Sequence, residues 1–166
     1  MKRTLLVLLA AIVLCASIAA LWWSRTTLTD ARAADLVREY NRRVIEAFRT
    51  KQPKLVESIA SAEEAGKISG LIGAKADGGV TLDSHLLALD VRGVERKDGE
   101  VLVRTAERWR YVERRIGTGV PTGPAAEDQY DMRYHLGRDH DAWVVRRIEF
   151  MAKPVARPLP AEEPHK

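Results

Sequence analysis

At Asp77-Gly78-Gly79 the hydrophobic period of this chain changes from helical to alternating, and that change restricts the fold more than any motif. Before it, Ala34, Val37, Tyr40, Val44 and Phe48 recur at three- and four-residue spacing, which makes one apolar stripe on a helix. Arg38, Glu39, Arg42, Arg43 and Glu46 cover the opposite face. After it, apolar residues fall at every second position, as half-buried strands require. Helices followed by consecutive antiparallel strands make an α+β domain.

The local signals give boundaries. Asp30 is a suitable N-cap, and a helix is expected from there to about Thr50. Pro53 suits the first turn of a second, short helix reaching about Ala60. Ser61 with Glu64 reads as a capping box opening a third helix toward Ala76. Gly66, Gly70 and Gly73 weaken that helix by up to about 1 kcal/mol each, and would let it pack closely on a sheet.

A first strand is expected over 84–96, with Leu87, Leu89 and Val91 on one face. Lys97-Asp98-Gly99-Glu100 is a hairpin signal. Val101, Val103, Thr105, Glu107, Trp109 and Tyr111 share one face of the next strand, with Arg104, Arg108, Arg110 and Arg114 on the other. Residues 117–127 hold Pro121, Pro124 and three glycines and read as a flexible loop. A third strand covers Tyr130, Met132, Tyr134 and Leu136, and a last one 143–150. The expected architecture is about three helices on a strongly bent antiparallel sheet of about four strands. It forms one domain over 30–152, followed by a Pro-rich tail, 153–166, without regular structure.

Residues 5–23 are a nineteen-residue apolar run. As a helix it spans about 28 Å, close to the ~30 Å hydrocarbon core of a bilayer. Lys2 and Arg3 precede it and Trp22 and Trp23 close it, which suits a single-pass signal-anchor with its N-terminus in the cytoplasm. Residues 24–29 are then a short connector. Two other readings stand beside this one. Ser17-Ile18-Ala19 resembles a signal-peptide cleavage pattern, which would leave a secreted or periplasmic domain. Cys15 is the place a lipoprotein would be modified, although Leu14 is bulky for that signal. All three put the domain outside the cytoplasm, and the signal-anchor reading holds it at the cell (inner) membrane.

Setting Lys2 and Arg3 aside leaves 25 basic against 23 acidic residues, so the outer part carries about +2. That is no basic block for nucleic acid. The one cysteine lies in the apolar run, so the domain holds no disulfide. No Cys/His zinc spacing is present, and Asp139-His140-Asp141 reads as a turn; no metal and no cofactor are expected.

The strand motifs VLVRTAERW (101–109), YDMRYHL (130–136) and AWVV (142–145) carry a resemblance. Over about residues 33–150 the chain resembles the nuclear-transport-factor-2-like (SnoaL-like) cone-shaped α+β superfamily. Within it the closer likeness is to the intermembrane-space (IMS) domain family of plastid-division proteins, which is also found in bacterial proteins. The resemblance implies a cone whose open end holds a pocket, used by some members for catalysis and by many for binding partners. Membrane-anchored scaffold components of type IV secretion share this architecture.

Glu107 shares a strand face with Trp109 and Tyr111 and, with Tyr134, marks a candidate pocket. A carboxyl group among apolar side chains suits general acid or base chemistry, and Asp90 and His135 would join it if register allowed. The competing reading, which the sequence favours, pairs Glu107 with an Arg or a Tyr hydroxyl near a sheet edge. No catalytic set emerges, and an enzyme is not expected. Arg104, Arg108, Arg110, Arg114, Arg115, Arg133, Arg146 and Arg147 suit either anionic lipid or an acidic partner. They suit better a solvated face with cross-strand partners such as Glu113, Asp131 and Glu149. Trp109, Tyr111, Tyr130, Tyr134 and Trp143 read as core, with one or two rings lining a pocket. The reading is a membrane-anchored, extracytoplasmic, non-catalytic protein-interaction module with a membrane or extracytoplasmic protein as partner. A small-molecule binder or enzyme using the cone pocket, or a secretion-system scaffold component, is the alternative. A membrane-impermeant reagent applied to intact cells should label a tag on the C-terminus; protection of that tag would reverse the topology.

Overall fold

The computed structural model describes residues 28–151 and 157–158. The expected membrane-spanning run and most of the tail lie outside them. Among the described residues no helix is long and apolar enough to cross a membrane. The elements are α1 (Asp30–Thr50), a 3-10 turn (Pro53–Val56), α2 (Ala62–Asp77), β1 (Val80–Lys97), β2 (Glu100–Arg115), β3 (Ala126–Asp139), β4 (Ala142–Phe150) and the short β5 (Arg157–Pro158). The four long strands pair antiparallel in the order β1-β2-β3-β4, and β5 pairs with Ala126 and Glu127 of β3.

Among the described residues two helices form, not three. The segment after Pro53 makes one 3-10 turn and stops, because β4 captures its backbone. Val145 N–H donates to Ile59 O at 2.9 Å and Ser61 N–H donates to Val145 O at 2.8 Å. Those groups bond along a strand edge and so cannot continue a helix. The cap of α1 is Thr29, whose hydroxyl accepts from Arg32 N–H at 3.3 Å, rather than Asp30. Asp30 sits in the first turn, where its charge suits the helix dipole, and pairs with Arg96 at 2.7 Å.

Ser61 does cap α2, accepting from Glu64 N–H at 3.2 Å. The return bond of a capping box is not made, since Glu64 turns inward to accept from Tyr40. The glycines of α2 do not seat it on the sheet either. A Cβ at Gly66, Gly70 or Gly73 would meet nothing within 4 Å. Contact is made instead by Ala65, Ile68 and Ile72 on the buried side of the helix.

The hairpin at Asp98-Gly99 forms with both residues at positive φ, 52° and 81°, as a tight two-residue turn needs. On β2 the faces divide as the alternation requires. On β1 they shift, because register breaks between Leu86 and Ala88 and again between Val91 and Gly93. Leu86 therefore stands opposite Trp109, and Leu87 is left 38% exposed. Such bulges bend a strand and raise its twist. The 117–127 segment is tied back to β2: Arg115 N–H donates to Val120 O, and Thr122 N–H to Glu113 O, each at 2.9 Å. The main core lies between α1, α2 and the inner sheet face, around Val37, Val56, Val103, Tyr134 and Val145.

Ser61 also donates to Arg146 O at 3.0 Å. Replacing it with Ala should lower stability by about 1–2 kcal/mol, read as a lower urea midpoint at unchanged slope.

Candidate functional site

The inner face of the sheet and the two helices enclose an open cavity of about 780 Å³. Its lining includes Tyr40, Phe48, Trp109, Tyr111, Tyr130, Tyr134 and Phe150. All four tyrosines and both phenylalanines of the chain are among them. Trp143 is the exception among the expected rings: it lies at the other end of the sheet, with Arg138 5.9 Å from its ring centre. The four expected pocket residues, Glu107, Trp109, Tyr111 and Tyr134, all line this cavity.

Glu107 is 1% exposed and sits in the middle of β2, not at an edge. Its Oε1 accepts from Tyr134 O–H and Thr105 O–H, both at 2.8 Å, and more weakly from Asn41 Nδ2 at 3.4 Å. Its Oε2 accepts from Trp109 Nε1–H at 2.8 Å. Asn41 also donates to the Tyr134 hydroxyl at 3.0 Å, and Tyr40 meets Tyr134 edge to face at 6.1 Å. Four neutral donors thus converge on one carboxylate. Among the described residues no Arg, Lys or His pairs with it, so the expected Tyr partner is present and the Arg is not.

The sheet register separates the other two candidates from Glu107. His135 stands opposite Leu102 and Arg147 on the outer face, between Glu100 at 3.0 Å and Glu149 at 3.2 Å. Asp90 is exposed on the same outer side and faces Arg92 at 3.6 Å. Most of the outer arginines are paired: across strands Arg104 with Glu95, Arg110 with Glu127, Arg114 with Asp83 and Arg133 with Glu149, and along β4 Arg147 with Glu149. Of the expected acidic partners Glu149 serves, whereas Glu113 turns inward to Lys75. Solvated pairs of this kind contribute about 0–1 kcal/mol each.

A second buried carboxylate was not legible beforehand. Asp128 is 4% exposed on β3, opposite Trp109. Its Oδ2 accepts from Tyr130 O–H at 3.0 Å and from Tyr111 O–H. Its Oδ1 is buried and has no hydrogen-bond partner. The signal that could have found it is its inward phase, two residues before Tyr130. Asn41 likewise breaks the apolar stripe of α1.

No protein-family model matches the chain, and no curated protein matches it. A solved structure does. The chain shares its fold with the intermembrane-space region of the chloroplast protein ARC6. The TM-score is 0.66 at 17% identity, covering 76% of this chain and 100% of that one. A de novo designed β-sheet protein solved in solution matches at a TM-score of 0.39 and 12% identity, over 80% of this chain and 94% of that one, and supports no argument.

The tyrosine hydroxyls are held above their ordinary range. For Tyr134 and Tyr40 burial is the largest cause, followed by the charges of Glu107 and Glu64 respectively. Tyr130 is raised by burial first and then by its bonds to Tyr111 and Asp128; Tyr111 is raised by burial first and then by its bond to Asp128. Below about pH 10 both folded and unfolded chains keep their phenolic protons, and stability is at its full value. Above it the unfolded tyrosines ionise while the buried ones do not, so stability falls as pH rises. Tyr40 and Tyr134 should each contribute a loss of about 1.4 kcal/mol per pH unit there. Urea unfolding across this range checks the slope, and tyrosinate absorbance should rise together with loss of structure rather than ahead of it.

Proposed function

We propose that this chain is a non-catalytic protein-interaction module, held beside a membrane on its extracytoplasmic side, that binds its partner at the open cavity. The observation that carries the reading is the cavity mouth. Leu71 and Phe150 line it at 53% and 64% exposure, although large apolar side chains are normally buried. Met151, 47% exposed, extends the apolar surface next to Phe150. Apolar side chains around a concavity are the usual mark of a docking site.

The shared fold supports the extracytoplasmic reading, since that ARC6 structure is of an intermembrane-space region. Placement in the wider nuclear-transport-factor-2-like superfamily belongs to the same proposal. It is supported by two helices preceding four antiparallel strands around an open cavity. The non-catalytic reading rests on Glu107. A base must be able to reach the proton it abstracts, whereas Glu107 is 1% exposed and is held in place by four neutral donors.

A second reading has one specific observation in its favour. A volume near 780 Å³ falls within the roughly 300–1,000 Å³ typical of small-molecule sites. The two readings separate experimentally. A photocrosslinker placed at Leu71 or Phe150 in native membranes should give a discrete protein adduct, and the same reagent at Arg108 on the outer face should not. The double variant Leu71→Asp/Phe150→Asp should reduce capture at a third rim position, Thr122, by about tenfold without lowering the unfolding midpoint. Unchanged capture would sink the partner reading.

A further inference from the structure

The cavity is short of positive charge at its inner end. Three carboxylates line it, Glu64, Glu107 and Glu113, and a fourth, Asp128, is buried and bonded to Tyr111 and Tyr130 of the lining. Two are matched, Glu64 by Lys67 at 3.4 Å and Glu113 by Lys75. Among the described residues, Glu107 and Asp128 have no cation within ion-pair distance. Glu107 stands opposite Tyr130 and Asp128 two residues away on the same strand, so they are diagonal neighbours about 7 Å apart. Asp128 Oδ1 has no donor at all, and Glu107 Oε2 has one. A buried carboxylate oxygen without a donor is costly, and such groups are normally satisfied by something.

The walls around these two oxygens are aromatic: Trp109, Tyr111 and Tyr130. Aromatic faces attract cations and do so most strongly where water is excluded. We propose that the partner segment inserts an arginine side chain into this cavity, its guanidinium seated between Glu107 and Asp128 against the rings of Trp109, Tyr111 and Tyr130. This rests on the partner-binding reading above and names what that partner must present.

Charge complementarity selects a cation, and the aromatic walls select arginine over lysine. A guanidinium is planar, weakly hydrated and stacks on rings, and its five donors can serve two carboxylates at once. Asp128 Oδ1 is buried. Tyr111 is half-buried and its hydroxyl bonds Asp128, so the proposed seat requires that ring to turn aside. The apolar rim at Leu71 and Phe150 calls for apolar residues on either side of the arginine.

The test uses the full chain in nanodiscs of zwitterionic lipid, with empty nanodiscs as control. The probes are blocked peptides, acetylated and amidated, of sequence Leu-Leu-X-Leu-Leu. X is Arg, Lys, citrulline or Leu, and binding is measured by calorimetry. Arg should bind at least about tenfold more tightly than citrulline, its neutral isostere, with Lys between them. Asp128→Asn should bring the Arg/citrulline ratio below about threefold while leaving the affinity for the Leu peptide unchanged. Glu107→Gln, checked for an intact unfolding transition, should do the same. The Asp128 variant is sufficient if Glu107→Gln does not fold. Equal binding of all four peptides would overturn the arginine site and leave the partner reading standing. Binding of agmatine with no binding of any peptide would overturn the partner as the source and favour a small cationic ligand. No binding of peptides or agmatine would overturn the arginine site, and the rim crosslinks would then decide the partner reading separately.

Discussion

The buried carboxylate of Glu107 is the interaction on which the rest of this domain depends. It is 1% exposed, and four donors hold it: the Tyr134 hydroxyl from β3, Asn41 from α1, and Thr105 and Trp109 from its own strand. A carboxylate taken out of water must recover its lost hydrogen bonds from the protein. Here that requirement fixes α1 against the sheet at one rotation and one height, since Asn41 must reach both Glu107 and Tyr134. The apolar stripe on either side of Asn41 would pack in several ways, because hydrophobic contact is not directional. A polar contact at its centre selects one.

The same arrangement keeps the cavity open. A sheet face and a helix that were apolar throughout would close on each other to native packing density. The Glu107 cluster holds polar groups at the base of the cavity, and Tyr40 meets Tyr134 edge to face there. The aromatic side chains stand around this base as walls. The outer face of the sheet does a different job. Its arginines are spread among glutamates and aspartates across strands, which keeps that face soluble and leaves it without a strong field of one sign.

How far the fold can be read from residues alone depends on how local each signal is. The inward phase of Val101, Val103, Thr105, Glu107, Trp109 and Tyr111 is plain, because alternation on β2 runs unbroken. On β1 the same reasoning puts Leu87 inside, but a bulge inserts one residue and turns Leu86 inward instead. Nothing in the apolar pattern marks that extra residue, since Leu86 and Leu87 are alike. The helix after Pro53 fails for a related reason. Its local signals are sound, and an edge of β4, some eighty-five positions away in the chain, takes its backbone bonds. His135 looked like a neighbour of Glu107 only while the face of its strand was open.

By itself the sequence determined the α+β class, the tight turn at Asp98-Gly99, the cap at Ser61 and the faces of β2. Each follows from periodicity or turn chemistry within a few residues. Only the tertiary structure decided which donors surround Glu107, that Asp128 keeps one oxygen unpartnered, and which cavity acids carry a cation. Those outcomes join residues 66 and 93 positions apart, Asn41 to Glu107 and Asn41 to Tyr134. Contacts over such separations are set by strand register and helix docking, which one stretch of chain does not encode alone.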